Sequence, residues 1–180
     1  MLNLASVITA HERTLALAAD GETYILRLSR LLAAPAEEVW DALTDPERVR
    51  LWFLPVSGDL RRGGSYQLEG SAGGDILYCD PGRRFTLTFG TPDNIVDVKL
   101  AADPRGGTRL DFENAAAFEM PEEDYLDSIG DFAPGWETLL AALDLHLRGK
   151  LPAGPRVEDM ELWQALAHIW RDLARAMFAR

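Results

Sequence analysis

Between Val56 and Asn114 the sequence alternates apolar and polar residues with a period of two, and turn sequences interrupt the alternation. A period of two places successive side chains on opposite faces of a strand, so one face of the predicted sheet is apolar and the other is charged. The interruptions carry turn-forming residues, as in Asp80-Pro81-Gly82. The pattern predicts an antiparallel sheet whose apolar face must be covered. Its predicted strands are 64–69, 75–79, 84–89, 95–100 and 108–113.

A hairpin and two short helices are predicted before this sheet. Asp20-Gly21 lies between two alternating segments, 14–18 and 22–30, and Asp-Gly in that position is typical of a β-hairpin. Pro35 then begins a helix at a position that proline favours. Thr44-Asp45-Pro46 ends this helix and caps a second one that runs to about Trp52.

The longest helix of the core is predicted after the sheet. We expect a loop that ends at Pro134, followed by a helix that begins at Gly135-Trp136. Six acidic residues and no basic residue fall between Glu119 and Asp131, which predicts a solvated loop face. The helix carries apolar residues three and four positions apart, a stripe that must lie on the apolar face of the sheet. These residues are Trp136, Leu139, Leu140, Leu143 and Leu147.

The net charge of −11 and the pI near 4.7 argue against a nucleic-acid partner, because phosphate binding needs a basic patch. No apolar run approaches the roughly 20 residues of a membrane span. The single cysteine, Cys79, excludes an internal disulfide and a cysteine-based zinc site. We therefore expect a soluble cytoplasmic protein that binds neither nucleic acid nor membrane.

An ordered series of short motifs resembles a known superfamily. The segment 35–55 contains Trp40, Thr44-Asp45-Pro46 and Trp52. The later motifs are Gly63-Gly64 before Tyr66, Asp80-Pro81 before Arg83-Arg84, Gly107-Thr108-Arg109-Leu110, and Gly135-Trp136 before a leucine-rich helix. Over about residues 10–150 the chain resembles the SRPBCC (START-like, helix-grip) superfamily. Within it, the chain most resembles homologues of the activator of the ninety-kilodalton heat-shock chaperone ATPase.

The resemblance implies an α+β helix-grip fold, in which a curled antiparallel sheet wraps around a long C-terminal helix and leaves a cavity between them. Trp52 and Phe53 would lie at the mouth of this cavity. His146 lies about 20° from Leu139 in helical projection and could point inward. The predicted cavity residues are Trp52, Phe53, Tyr66, Phe85, Phe89, Val98, Phe112, Trp136, Leu139, Leu143 and His146.

An additional amphipathic helix, predicted from about Val157 to Phe178, lies outside the family pattern. Residues 1–150 are thus interpreted as the helix-grip domain, and 151–180 as a short linker with this extra helix. Its apolar face must be buried against the back of the long helix, over the cavity mouth, or in a homodimer. The predicted partner or dimer contacts are Trp163, Leu166, Trp170, Leu173 and Met177.

The sequence shows no catalytic constellation. The three histidines, His11, His146 and His168, are too scattered to indicate a metal site by spacing, and no nucleophile elbow or phosphate-binding loop is present. We therefore predict no catalytic residue, no metal and no cofactor. The preferred hypothesis is a non-catalytic protein that binds a small hydrophobic molecule. The alternatives are an interaction module resembling the chaperone-ATPase activators, and a cyclase or dehydratase that uses the same cavity.

Overall fold

The computed structural model describes residues 9–117, 120–150 and 160–179. Its helices are α1 (Ala36–Thr44), α2 (Pro46–Trp52), α3 (Glu122–Leu147) and α4 (Met160–Phe178). Its strands are β1 (Glu12–Leu17), β2 (Thr23–Leu32), β3 (Val56–Gly58), β4 (Ser65–Leu68), β5 (Gly73–Asp80), β6 (Arg84–Phe89), β7 (Thr91–Ala102) and β8 (Thr108–Ala117).

The strands form one eight-stranded sheet in the order β1-β2-β8-β7-β6-β5-β4-β3, and every neighbouring pair is antiparallel. Helices α1 and α2 connect β2, near one end of the sheet, to β3 at the other end. Asp45 caps α2 by accepting a hydrogen bond from the Glu47 backbone N–H at 2.9 Å. The architecture confirms the predicted α+β helix-grip fold, with a curled antiparallel sheet and a long C-terminal helix.

The sheet differs from the sequence-based prediction at the start of β7 and at its β3 edge. Thr91-Pro92-Asp93, which lies between the predicted strands 84–89 and 95–100, belongs to β7, because a bulge after Thr88 allows the strand to begin at Thr91. A proline is tolerated beside such a bulge, where the ladder hydrogen bonds are already interrupted. The short edge strand β3 (Val56–Gly58) was not predicted separately.

Helix α3 begins at Glu122, and the expected loop before Gly135 is wrong. Tyr125, Ile129 and Ala133 recur at intervals of four and are buried, which is the helical signal that precedes Pro134. Three of the six acidic residues, Glu122, Glu123 and Asp124, instead occupy the first turn of the helix, where the positive end of the helix dipole stabilises them. The proline removes one backbone donor, and α3 continues through it.

Helix α4 packs against α3 and β1 of the same chain. The five buried residues of α4 are Leu162, Leu166, Ala167, Trp170 and Ala174. Gly130 of α3 faces the guanidinium of Arg171 on α4, and a Cβ there would lie 2.4 Å from its Cζ, so this side chain would have to move. The extra helix therefore buries its apolar face on the back of the long helix. Residues 157–159, its predicted first turn, lie outside the described part of the chain.

This packing corrects part of the predicted partner surface. Leu166 and Trp170 have an exposed fraction of 0% within the single chain, so neither is available to a second subunit in this structure. Trp163, Leu173 and Met177 are partly exposed. None of the described helices combines the length and apolar character that crossing a membrane requires.

Candidate ligand-binding site

An apolar inner chamber lies between the sheet, α2 and α3, with a cavity volume of about 160 Å³. Phe85 and Phe89 of β6, Val98 of β7 and Phe112 of β8 face it, because the period of two places these residues on the inner face of the sheet. The covering helix α3 contributes Trp136, Leu139 and Leu140. The inner chamber is therefore the space that the sheet and the long helix leave unfilled.

Trp136 is the aromatic residue at the centre of this wall. Its ring lies 4.9 Å, centroid to centroid, from the ring of Phe89 and also 4.9 Å from that of Phe112. Both distances fall in the range of favourable aromatic contacts. Trp52 is held differently, because its indole Nε1 donates a hydrogen bond to the Ala42 carbonyl at 2.9 Å. These contacts fix the orientation of both indoles.

A larger outer chamber of about 530 Å³ adjoins the inner one. The two share five lining residues, so they meet at a common wall. Four polar residues, Ser71, Asn94, Asn114 and Thr138, line the outer chamber alone. The inner chamber is thus apolar, and the outer chamber is partly polar. The shared residues are Trp52, Phe53, Phe89, Trp136 and Leu139.

Ionisable groups are scarce in both chambers. Among the described lining residues only Tyr66 and Cys79 can titrate, and no Asp, Glu, His, Lys or Arg is present. Burial raises the pKa of Tyr66 to about 12, and its hydroxyl donates to the Thr88 carbonyl at 2.8 Å. Burial, and secondly Asp80, raises the pKa of the Cys79 thiol. Both groups are therefore protonated near neutral pH, and neither is a general base there.

Nine of the eleven predicted cavity residues line the inner chamber: Trp52, Phe53, Tyr66, Phe85, Phe89, Val98, Phe112, Trp136 and Leu139. Leu143 and His146 line neither chamber, and their assignment to the cavity is corrected. Leu143 is wholly buried in the core, one turn beyond Leu139. His146 lies near α1 and α2, since burial first, and then Arg48, lowers its pKa while Glu38 opposes them.

The polar residues of the outer chamber were missed, although the sequence contained a signal for two of them. Leu110, Phe112 and Asn114 alternate along β8 and share its inner face. The predicted strand ended at residue 113, one position before Asn114. Asn94 lies two residues before the buried Val96 in the same way. Thr138 had no comparable signal, because its place in the wall of the outer chamber depends on how α3 packs on the sheet.

A buried group of charged residues joins α3 to β1 and α4, and it lines neither chamber. Glu137 is fully buried and accepts hydrogen bonds from Arg13, with Nε at 2.9 Å from Oε2, and from Nε1 of Trp170 at 3.1 Å. Nδ1 of His11 lies 3.4 Å from Oε1 of the same glutamate. Burial alone would raise the pKa of Glu137, but hydrogen bonds from His11 and Arg13 hold it below its usual value. This carboxylate thus anchors three elements.

A second buried pair extends this group. Asp144 of α3 accepts from Nη2 of Arg30 at 2.5 Å and from Nε of Arg148 at 2.8 Å. Arg30 also lies 3.3 Å, from Nη1 to Nε2, from His11. The buried charges of this group are therefore paired, as burial requires. Among the described residues, no group of three or more His, Cys, Asp or Glu is arranged to hold a metal ion.

The family described as activator of Hsp90 ATPase homolog 1-like protein matches residues 33–148, which include α1, the sheet from β3 to β8, and α3. This match covers more than half of the 180 residues. The chain belongs to this family. Comparison with curated proteins gave no match.

The solved structures that resemble this family member include CalU16 from Micromonospora echinospora. Its crystal structure is 34% identical, covers 92% of this chain and 99% of its own, and superposes with a TM-score of 0.76. Its solution NMR structure is 35% identical, covers 93% of this chain and 97% of its own, and has a TM-score of 0.75. EF2215 from Enterococcus faecalis, a conserved protein of unknown function, shows the fold alone, at 18% identity, 90% and 92% coverage and a TM-score of 0.68.

The likeness to CalU16 extends into α4, although this helix lies outside the segment that matches the family. Coverage of 92% of 180 residues is about 166 residues, so the match extends beyond residue 150 and includes part of α4. A match in this region therefore exists in at least one similar solved structure.

Proposed function

We propose that this protein is a non-catalytic binding protein whose ligand is a small hydrophobic molecule held in the two chambers between the sheet and α3. The observation that carries the proposal is the composition of the lining. Apolar side chains enclose most of the space, and none of the described lining residues is an aspartate, glutamate, histidine, lysine or arginine. Burying apolar ligand surface is favourable by roughly 25 cal/mol per Å², and such a lining leaves no charge to desolvate.

The size of the chambers supports a small ligand. The inner chamber, at about 160 Å³, is close to the roughly 150 Å³ of an engineered cavity that binds benzene in another protein. The outer chamber, at about 530 Å³, falls within the roughly 300–1,000 Å³ of typical ligand pockets. A molecule of one to a few rings would fit the pair.

The cyclase or dehydratase alternative has less support. Such chemistry needs a group that takes or gives a proton near neutral pH within reach of the ligand. Tyr66 and Cys79, the titratable described residues of the lining, have pKa values raised by burial. The Tyr66 hydroxyl is also engaged with the Thr88 carbonyl. Binding without catalysis is the function that this lining favours.

The proposal is tested by titrating the protein with N-phenyl-1-naphthylamine, a neutral probe whose fluorescence rises in apolar sites. We expect saturable binding and a rise in melting temperature that follows mass action. Leu139→Trp places an indole where the chambers meet, and should weaken binding by about tenfold or more, because the added volume is taken from the ligand.

Leu145→Trp is the matched control, since Leu145 lies on the same helix, is also half-buried, and lines neither chamber. It should bind the probe as the wild type does. Absence of saturable binding to the wild type, or equal binding by Leu139→Trp and the wild type, would overturn the proposal.

A second candidate rests on the family, whose description names an activator of the Hsp90 ATPase. Adding the purified protein to an Hsp90 ATPase assay tests this function, and an unchanged hydrolysis rate would count against it. Dimerisation and a cytoplasmic location stay predictions. Of the predicted dimer contacts, Trp163, Leu173 and Met177 remain partly exposed to solvent.

A further inference from the structure

We infer that the ligand is amphiphilic and uncharged: an apolar ring enters the inner chamber, and a carbonyl or hydroxyl group at its other end bonds to the amides of Asn94 and Asn114 in the outer chamber. This inference rests on the proposed function. It adds the chemical class of the ligand and its direction in the site.

The two asparagines form a fixed pair at the wall of the outer chamber. Nδ2 of Asn114 donates to Oδ1 of Asn94 at 2.6 Å and to the Ile95 carbonyl at 3.1 Å, which uses both of its amide hydrogens. Asn114 is 5% exposed, so this arrangement is built into the sheet. Its Oδ1 and the Nδ2 of Asn94 have no hydrogen bond to another described residue. The pair therefore offers a ligand one acceptor and two N–H donors.

Thr138 contributes to this chamber from the opposite element, α3. Its hydroxyl donates to the Pro134 carbonyl at 2.9 Å, within reach also of the Gly135 carbonyl at 3.1 Å. Its hydrogen is thus committed to the helix backbone, and its oxygen is left only as an acceptor. A ligand between β7, β8 and α3 meets neutral hydrogen-bonding groups on both sides.

The inner chamber offers almost nothing to a polar group. Of its polar lining residues, Tyr66 donates to the Thr88 carbonyl and Thr44 to the Trp40 carbonyl at 2.8 Å. An unpaired ligand carbonyl there would be desolvated without compensation, which is unfavourable. The polar end must therefore lie in the outer chamber and the apolar end in the inner one.

A charged ligand is disfavoured in either orientation. No described residue of the two linings carries a charge at neutral pH, so a carboxylate or an ammonium would enter without a partner. The net charge of −11 further opposes an anion. The site selects for neutral molecules.

Three ligands that share one naphthalene ring test this inference by displacement of N-phenyl-1-naphthylamine: 2-acetylnaphthalene, 2-ethylnaphthalene and 2-naphthoate. We expect the ketone to bind best relative to its hydrophobicity, and the carboxylate to bind at least about 100-fold more weakly than the ketone. In Asn94→Leu the ratio of ketone to ethyl affinity should fall about fivefold, because the two N–H donors of Asn94 are lost and only the one hydrogen that Asn114 then releases remains.

Gln164→Leu is the matched control, because Gln164 is an exposed amide of α4 that lines neither chamber. Its ratio should equal that of the wild type. If Asn94→Leu does not fold, the infrared carbonyl band of 2-acetylnaphthalene bound to the wild type decides, and a shift to lower wavenumber is expected on hydrogen bonding.

The outcomes separate this inference from the proposed function. If all three ligands bind alike, if the ratio is unchanged in Asn94→Leu, or if the carbonyl band does not shift, the amphiphilic class is wrong while the binding function survives. If neither the probe nor any of the three ligands binds, the proposed function fails, and the inference fails with it.

Discussion

The indole Nε1 of Trp170 donates a hydrogen bond to Oε2 of Glu137 at 3.1 Å, and both side chains are fully buried. Trp170 lies on α4, outside the segment that matches the family, and Glu137 lies on α3 inside it. The same carboxylate binds Arg13 of β1. One side chain thus joins the extra helix to the helix that covers the chambers.

Removing the charge of Glu137 should destabilise the protein. Glu137→Gln removes the charged partner of the largely buried Arg13 guanidinium, and breaking a buried pair in this way costs about 3–5 kcal/mol. Trp170→Phe keeps most of the buried area and loses only the N–H donor, so a cost of about 1 kcal/mol is expected. Urea denaturation measures both changes. Equal costs for the two variants would contradict the role assigned to the carboxylate.

The lowered pKa of Glu137 predicts an acid-dependent loss of stability. Burial raises this pKa, and hydrogen bonds from His11 and Arg13 outweigh it, so the folded pKa lies below the ordinary value of 4.5. The contribution is therefore fully present above 4.5 and is lost as the pH falls through the folded pKa. Glu137→Gln should have a flatter pH dependence of unfolding free energy below pH 4.5 than the wild type. Parallel curves would refute this assignment.

Acidification should also destabilise the fold through His146, at a higher pH than through Glu137. Its pKa is lowered, first by burial and then by Arg48, and its buried Nε2 has no hydrogen-bond partner among the described residues. The unfolded chain then binds a proton near pH 6.5 that the folded chain resists, so stability falls as the pH drops below 6.5. We expect His146→Leu to remove this part of the melting-temperature profile. An unchanged profile from about pH 8 to about pH 5 would show that His146 does not titrate in this way.

Substitution of Gly107 tests the steric constraint in the turn that precedes β8. Its φ is +87°, and an added Cβ would lie 2.3 Å from the Leu32 carbonyl oxygen. Gly107→Ala should therefore cost more than the roughly 1–2 kcal/mol of a left-handed alanine. Gly82→Ala is the matched control, with a φ of +78° and open space around the added Cβ. Similar losses for the two variants in chemical denaturation would rule out the steric contribution.

Deleting residues 156–180 should cause aggregation or a large loss of stability. The deletion uncovers the α3 and β1 surface against which α4 packs and removes the tryptophan partner of Glu137. Light scattering coupled to size-exclusion chromatography measures the outcome, and the full-length protein in the same experiment gives its oligomeric state. A truncated chain that remains monodisperse with an unchanged melting temperature would contradict this prediction.

Local patterns were sufficient to predict most of the elements. The alternation in Arg84–Phe89 placed Phe85 and Phe89 on the inner face, and both line the inner chamber. The same reasoning failed at Pro134, where a general rule about proline outweighed the helical spacing of Tyr125, Ile129 and Ala133. It failed at His146 because helical projection gives an angle but does not say which element lies opposite.

The sequence by itself determined the faces of the strands, the caps of the short helices and the family, because each depends on neighbouring residues or on a colinear series of motifs. Only the tertiary structure decided that Asn94 and Asn114 meet across β7 and β8, that Thr138 joins them from α3, and that α4 packs on its own chain. These contacts connect residues far apart in the sequence. Their geometry depends on sheet register and on helix packing against the sheet, which no local period contains.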